Sequence, residues 1–192
     1  MNPLKRIQYN APVTLTFALI SAAALALAQI TNGSSDTLLF MVYRAPFSDP
    51  LMYLRLFTHA IGHANMEHFL NNFIIILLVG PMLEEKYGPK LIIIIMIVTA
   101  FVTGLLWVIM SPYAKMGASG IVFMLILLSS FANIQRGRIP LTLILAVIIY
   151  LGREVISFAT MDGTTNIAYM SHIVGGVCGA LFGFIANNRN RE

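Results

Sequence analysis

The most apolar part of the chain is residues 91–110, which read LIIIIMIVTAFVTGLLWVIM. No charged side chain interrupts them. A bilayer core about 30 Å thick requires roughly 20 apolar residues in one helix, since a helix rises by about 1.5 Å per residue. A helix also satisfies its own backbone hydrogen bonds, which lipid cannot do. The stretch therefore predicts a helix that spans a membrane.

The composition of the whole chain agrees with this interpretation. Of 192 residues, 58% are hydrophobic and 10% are charged, and the mean hydropathy is +0.81. A soluble domain carries about 25% charged residues, so this composition excludes a soluble globular domain and a disordered chain. One cysteine excludes a disulfide framework and a four-thiolate metal site. The net charge of +4 lies in short basic clusters, which favours topology signals over nucleic-acid binding.

Apolar segments of similar length recur along the chain. The sequence predicts an all-α polytopic membrane protein, a six-helix bundle that forms a single domain over residues 1–192. Its six membrane-spanning segments are predicted at about 12–31, 67–83, 90–111, 119–134, 140–159 and 168–186.

Lysine and arginine residues indicate the orientation of this bundle. Six crossings put both termini on one side, with eight basic residues: Lys5, Arg6, Lys86, Lys90, Arg136, Arg138, Arg189 and Arg191. The other side has four: Arg44, Arg55, Lys115 and Arg153. Basic residues concentrate on the cytoplasmic side, so both termini are predicted to be cytoplasmic. The connection from about 32 to 66 is then external, and its apolar stretches predict a partly interfacial loop.

The first segment has a second interpretation. Lys5 and Arg6, the apolar run and the small residues Ala26-Leu27-Ala28 resemble a secretory signal with its cleavage site. The run is long for such a signal, which favours a retained helix. Removal of this segment would leave the orientation of the other five unchanged.

Four polar residues occupy costly positions in the apolar segments. His68 and Asn72 lie at the start of the second segment, Ser119 opens the fourth, and His172 lies about one turn into the sixth. Polar groups in a bilayer are expensive and mark functional sites by default. Even-numbered segments all run from outside to inside, so the four residues are predicted to share one depth near the outer face.

Ser119 and His172 have the chemistry of a nucleophile and its base. A serine hydroxyl attacks poorly until a base accepts its proton, and histidine suits that role near neutral pH. Gly117 and Gly120 flank Ser119, and glycine permits unusual backbone angles and close approach at a loop-to-helix junction. Unpaired N–H groups at a helix start stabilise an oxyanion.

His68 and Asn72 are predicted to contribute to the same oxyanion site. The two residues are four apart and share one helix face. Both donate hydrogen bonds, and asparagine cannot act as a base. The pair therefore suits oxyanion stabilisation better than proton abstraction, which leaves His172 as the base.

Each feature also has a purely structural interpretation. A Gly-x-Ser-Gly string is common in membrane helices, where small residues allow close packing, and an asparagine can simply bridge two helices. Gly175, Gly179 and Gly183 recur at spacing four, which favours packing over chemistry. The expected neighbour is the fourth segment, and that contact would bring His172 towards Ser119.

Taken in order, these motifs resemble those of the rhomboid intramembrane serine proteases. Gly117-Ala118-Ser119-Gly120 is similar to the family's Gly-x-Ser-Gly motif, and His172 with Gly175 is similar to its sixth-helix His-x-x-Gly. His68 and Asn72 match the His-x-x-x-Asn of its second helix. The spacing of His59, His63 and His68 and the string Arg55-Leu56-Phe57-Thr58-His59 resemble the bacterial GlpG type. Glu84 followed by Gly88 resembles the family's end of helix two. The resemblance covers about residues 51–186.

The resemblance implies a serine endopeptidase that cleaves transmembrane segments near the outer face of a bacterial inner membrane. Ser119 and His172 would form a dyad that acts through an acyl-enzyme. The backbone of Ser119 and the side chains of His68 and Asn72 would form the oxyanion hole. The partners would be transmembrane substrates and the lipid bilayer, with no cofactor, metal or nucleic acid.

This chain departs from the family pattern at three places. Leu54-Arg55 stands where the family has Trp-Arg, and Ser171 stands before the sixth-helix His where Ala is frequent. Phe123 replaces a frequent Tyr four residues after the nucleophile and would still stack beneath His172, without a hydroxyl.

A metal or proton transporter is the alternative function. The four histidines and Glu67 gather on the predicted external side, and His59 and His63 have the spacing of a zinc-binding pair on a helix. Against this, no acidic relay runs through the interior of the predicted segments.

Overall fold

The protein is all helical in the computed structural model, which describes residues 8–132, 138, 141–146, 148–149, 152, 156 and 166–189. Strand pairing within these residues is limited to isolated bridges, one of which joins Val42 and Lys115. The helices are α1 (Pro12–Ile30), α2 (Pro50–Thr58), α3 (Met66–Tyr87), α4 (Pro89–Met110), α5 (Ser119–Ala132), α6 (Leu141–Ala146) and α7 (Asn166–Arg189).

Among the helices that the structure describes, α1, α3 and α4 are long and apolar enough to span a membrane. Shorter apolar stretches run over Ser119–Phe131 in α5 and Met170–Ala186 in α7. These five helices lie at the predicted first, second, third, fourth and sixth segments. Most of the predicted fifth segment lies outside the described residues, and α6 covers its first turns.

The connection between α1 and α3 contains two short elements. A π-helical segment runs over Asp36–Phe40, and α2 begins at Pro50, where the Asp49 side chain accepts the N–H of Leu51 at 3.0 Å. Arg55 of α2 is buried, donates to the Asp49 carboxylate and lies 4.3 Å from the centroid of the Tyr43 ring. The ion pair therefore joins α2 to the loop residue that precedes it.

The start of α1 is fixed to the end of α3 by Glu84. This buried carboxylate accepts the N–H groups of Val13 and Thr14 at 2.8 and 2.9 Å, and the Thr14 hydroxyl at 2.8 Å. These N–H groups have no partner within their own helix, and a negative charge is favourable at a helix N-terminus. Glu84 therefore caps a neighbouring helix.

The core lies around α5, which packs mainly against α7 and is also contacted by α3 and α4. Residues 120–128 of α5 are all buried. A Cβ atom added to Gly175 would lie 2.1 Å from the carbonyl oxygen of Gly120, and one added to Gly179 would lie 2.2 Å from that of Met124. The glycines of α7 thus let its backbone touch that of α5.

Candidate active site

The loop before Ser119 is held at several points by the main chain. Lys115 pairs with Val42 through two hydrogen bonds of 2.9 Å. The N–H of Gly117 donates to the carbonyl of His59 at 2.8 Å. Gly117 has φ +132°, a conformation that side chains rarely adopt, so glycine is required there. These contacts therefore fix the position of the main chain just before Ser119.

Ser119 is the first residue of α5 and is half-buried. The residue before it, Ala118, is fully buried and donates its N–H to Nε2 of His63 at 3.4 Å. The carbonyl of Ala118 already accepts the N–H of Val122, the first hydrogen bond of the helix. The N–H groups of the first turn therefore lie beside the serine hydroxyl.

His172 of α7 stacks on Phe123 of α5, with ring centroids 4.5 Å apart and an angle of 6° between the planes. Phe123 lies one helical turn after Ser119, on the same face of α5. The backbones of α5 and α7 also touch at Gly120 and Gly175, which lie next to Ser119 and one turn after His172. Ser119 and His172 thus lie on facing surfaces of two helices in contact.

His68 and Asn72 lie in the first two turns of α3, next to this loop. A Cβ atom at Gly117 would be 2.6 Å from Cε1 of His68, so the imidazole lies directly against the glycine. Asn72 is buried, and its amide donates one N–H to the carbonyl of His68 at 2.9 Å. His172 lies within electrostatic reach of His68. The structure thus brings α3, α5 and α7 together at the four predicted polar residues.

Comparison with known families identifies the domain that carries these residues. The family model of the Rhomboid domain matches residues 50–189. The chain belongs to the rhomboid family. Rhomboids are intramembrane serine proteases that act on transmembrane substrates within the bilayer, so this chain is a multi-pass membrane protein of a protease family. A comparison with individual curated proteins returns no match.

Two further histidines of this rhomboid make hydrogen bonds that support the loop before Ser119. His59 directs Nε2 to the carbonyl of Ala100 at 3.0 Å, and His63 directs Nδ1 to the carbonyl of Ile61 at 3.0 Å. Burial lowers the pKa of His59 to about 3 and that of His63 to about 4, so both rings are neutral near pH 7. Because Nδ1 of His63 donates, its Nε2 accepts the N–H of Ala118.

The geometry does not favour the zinc pair suggested by the spacing of His59 and His63. Helix α2 ends at Thr58, so the two residues do not lie on one helix. Within the described part of the chain, no group of three histidine, cysteine or acidic side chains is arranged to hold a metal ion. The alternative function as a metal transporter thus loses the support of a helical spacing between these two histidines.

The sequence predicts only a topological role for Lys115. In this rhomboid its Nζ atom is buried and lies 5.1 Å from the centroid of the Trp107 ring. Burial lowers the pKa of Lys115 to about 7. In the sequence, the position of Lys115 close to the glycines around Ser119 is the only indication of a role in the site. That position does not show whether the lysine is exposed or buried.

Proposed function

We propose that this rhomboid is a serine endopeptidase that cleaves transmembrane segments of membrane proteins, with Ser119 and His172 as its catalytic dyad. The observation that carries the proposal is the stacking of His172 on Phe123, one turn from Ser119 on the same helix face. The contact of Gly120 with Gly175 supports the same pairing, because it sets the distance between the two helices.

The proposed reaction is acyl transfer in two stages. His172 takes the proton of Ser119 as the serine oxygen bonds to the carbonyl carbon of the substrate. The tetrahedral intermediate then loses its amine, which leaves with a proton from His172, and an acyl-enzyme remains. Water attacks this ester with His172 again as base, and the carboxyl product leaves as Ser119 regains its proton.

The proposed oxyanion hole consists of the backbone N–H of Ser119 and the side chains of His68 and Asn72. The hydrogen bond from Asn72 to the carbonyl of His68 supports this role, since it fixes the amide and leaves its second N–H to donate. The contact of His68 with Gly117 supports it too, because it holds the imidazole beside the start of α5.

We place this protease in a bacterial inner membrane, as a single domain of the GlpG type with both termini in the cytoplasm. The distribution of lysine and arginine supports this orientation. The starts of α3, α5 and α7 then lie near the outer face, and substrates enter sideways from the lipid and unwind locally. Helix-breaking residues near the scissile bond should favour cleavage.

Labelling with a fluorophosphonate tests the dyad. The purified protein should be labelled and should cleave a transmembrane peptide in detergent micelles, because an activated serine reacts with both. Ser119→Ala should abolish labelling, and His172→Ala should reduce it to background. Both should lower cleavage by at least about a thousandfold.

Ser129→Ala is the matched control for this experiment. Ser129 lies on the same helix, is half-buried and donates to the carbonyl of Ile126 at 2.7 Å. This variant should retain labelling and cleavage. Cleavage by Ser119→Ala at the wild-type rate would refute the assignment.

A further inference from the structure

Lys115 is fixed in the loop before Ser119 by its main chain and by an aromatic ring. Its N–H and C=O both pair with Val42 at 2.9 Å. Its Nζ atom lies 5.1 Å from the centroid of the Trp107 ring, within the range of a cation–π interaction. The ring is held in turn, because Nε1 of Trp107 donates to the carbonyl of Tyr113 at 2.7 Å.

The ammonium group of Lys115 is buried without a counter-ion. Among the described residues, no acceptor lies within hydrogen-bonding distance of Nζ, and the one ion pair joins Arg55 to Asp49. An unpaired buried charge is costly, and burial lowers the pKa of Lys115 to about 7. The side chain therefore loses its charge within the pH range in which a histidine base operates.

Two titratable side chains from neighbouring elements face this charge. They are His59, at the end of α2, and His68, in the first turn of α3. His59 has a pKa of about 3 and carries no charge near neutral pH. The Lys115 ammonium is thus a positive charge beside the histidine that lies against Gly117.

We propose that Lys115 is a positioning residue of the oxyanion site, whose positive charge acts through His68. The inference rests on the proposed function, which assigns His68 to oxyanion stabilisation. The charge raises the positive potential around the His68 ring, where negative charge develops in the transition state. Contact with the substrate is unnecessary, because a charge acts over several ångströms in a protein interior.

The test is a pH profile of kcat for cleavage of a transmembrane peptide, from pH 6 to pH 9. Lys115→Met retains the length and apolar stem of the side chain without its charge. Lys115→Arg retains the charge throughout, since a guanidinium does not lose its proton in this range. The three proteins share every other titratable group, so the inference depends on how the ratios of their rates change with pH.

At pH 6, Lys115→Met should be about tenfold slower than the wild type, and Lys115→Arg should equal it. At pH 9, the wild type should have fallen to the level of Lys115→Met, with Lys115→Arg about tenfold faster than both. KM should change little, because the proposed role of Lys115 requires no contact with the substrate.

The ratio of kcat between the wild type and Lys115→Met tests the inference even if an arginine side chain does not fit in the space of Lys115. A ratio that is the same at every pH overturns it, because lost packing alone would give that result. Fluorophosphonate labelling separates the two hypotheses. If Ser119 is labelled but the ratio of kcat values does not change with pH, the proposed function stands and the role of Lys115 is rejected. If the wild type is not labelled, both hypotheses are rejected.

Discussion

Ser119 differs from the other serines of α5 in its position relative to the helix start. Ser129 and Ser130 both donate to the carbonyl of Ile126 in the preceding turn. Serines within a helix commonly make this bond. Ser119 is the first residue of α5 and has no preceding helical turn to bond. Its hydroxyl is thus better suited to meet a base on another helix.

Asn72 and its neighbour Asn71 allow a matched test of the proposed oxyanion hole. Asn72 is buried next to His68, whereas Asn71 is exposed. Loss of one oxyanion donor typically costs about 100- to 1,000-fold in kcat, so Asn72→Ala should reduce cleavage by roughly that factor without abolishing it. Asn71→Ala should cleave normally. A wild-type rate for Asn72→Ala would remove Asn72 from the site.

The polar residues of the candidate site could be predicted because each is expensive in an apolar segment. His68, Asn72, Ser119 and His172 stand out from the sequence because they are polar residues near the starts of predicted apolar segments. Lys115 could not be predicted, because its burial depends on Trp107 and on pairing with Val42.

At the scale of elements, hydropathy predicts where helices lie, and local chemistry determines where they end. Helix α4 covers Pro89–Met110 against a prediction of about 90–111, because Pro89 opens it and only Gly88 separates it from α3. Hydropathy could not predict α2, whose start depends on Asp49 and Pro50 and whose burial depends on the ion pair of Arg55. Short helices in connections are stabilised by such contacts, which a hydropathy window does not detect.

The contact between α5 and α7 makes Gly175 a sensitive position. An added methyl group would lie 2.1 Å from the carbonyl oxygen of Gly120, so the two backbones must separate. Overpacking of this kind costs about 1–3 kcal/mol. Gly175→Ala should therefore lower the unfolding midpoint and, because His172 shares the helix, reduce cleavage more than tenfold.

Two further glycines serve as controls for Gly175→Ala in thermal unfolding and cleavage assays. A methyl group at Gly152 meets no atom of the described residues within 4 Å, so Gly152→Ala should behave as the wild type. Gly179→Ala should destabilise the same helix pair, since its methyl group would lie 2.2 Å from the carbonyl oxygen of Met124. If Gly175→Ala had normal stability and cleavage, the close contact would not set the geometry of the site.

At the scale of the whole molecule, the match to the Rhomboid domain begins at residue 50, and α1 precedes it. Glu84 nevertheless joins α1 to the matched region through three hydrogen bonds. Helix α1 is therefore part of the same bundle. The position of Glu84 just after the predicted second segment gave no indication of this role, because the partner N–H groups lie about 70 residues away in sequence.

The buried histidines make the stability of the whole molecule depend on pH. His63 is fully buried, and its pKa is lowered from 6.5 to about 4. Between these values the unfolded chain binds a proton that the folded protein does not. The contribution of His63 to the free energy of unfolding is therefore complete above about pH 6.5 and decreases as the pH falls towards 4. The loss reaches about 3 kcal/mol at pH 4.

His63→Gln isolates this contribution, because glutamine keeps one donor and one acceptor for Ile61 and Ala118 but does not titrate. Trp107 is the one tryptophan of the chain and contacts the loop before Ser119, so its fluorescence reports unfolding there. Between pH 7 and pH 4, the unfolding midpoint of His63→Gln in detergent should fall less than that of the wild type. Above pH 7 the two midpoints should change in parallel. Equal losses in acid would mean that the folded protein accepts a proton on His63, which contradicts its donation from Nδ1 and acceptance at Nε2.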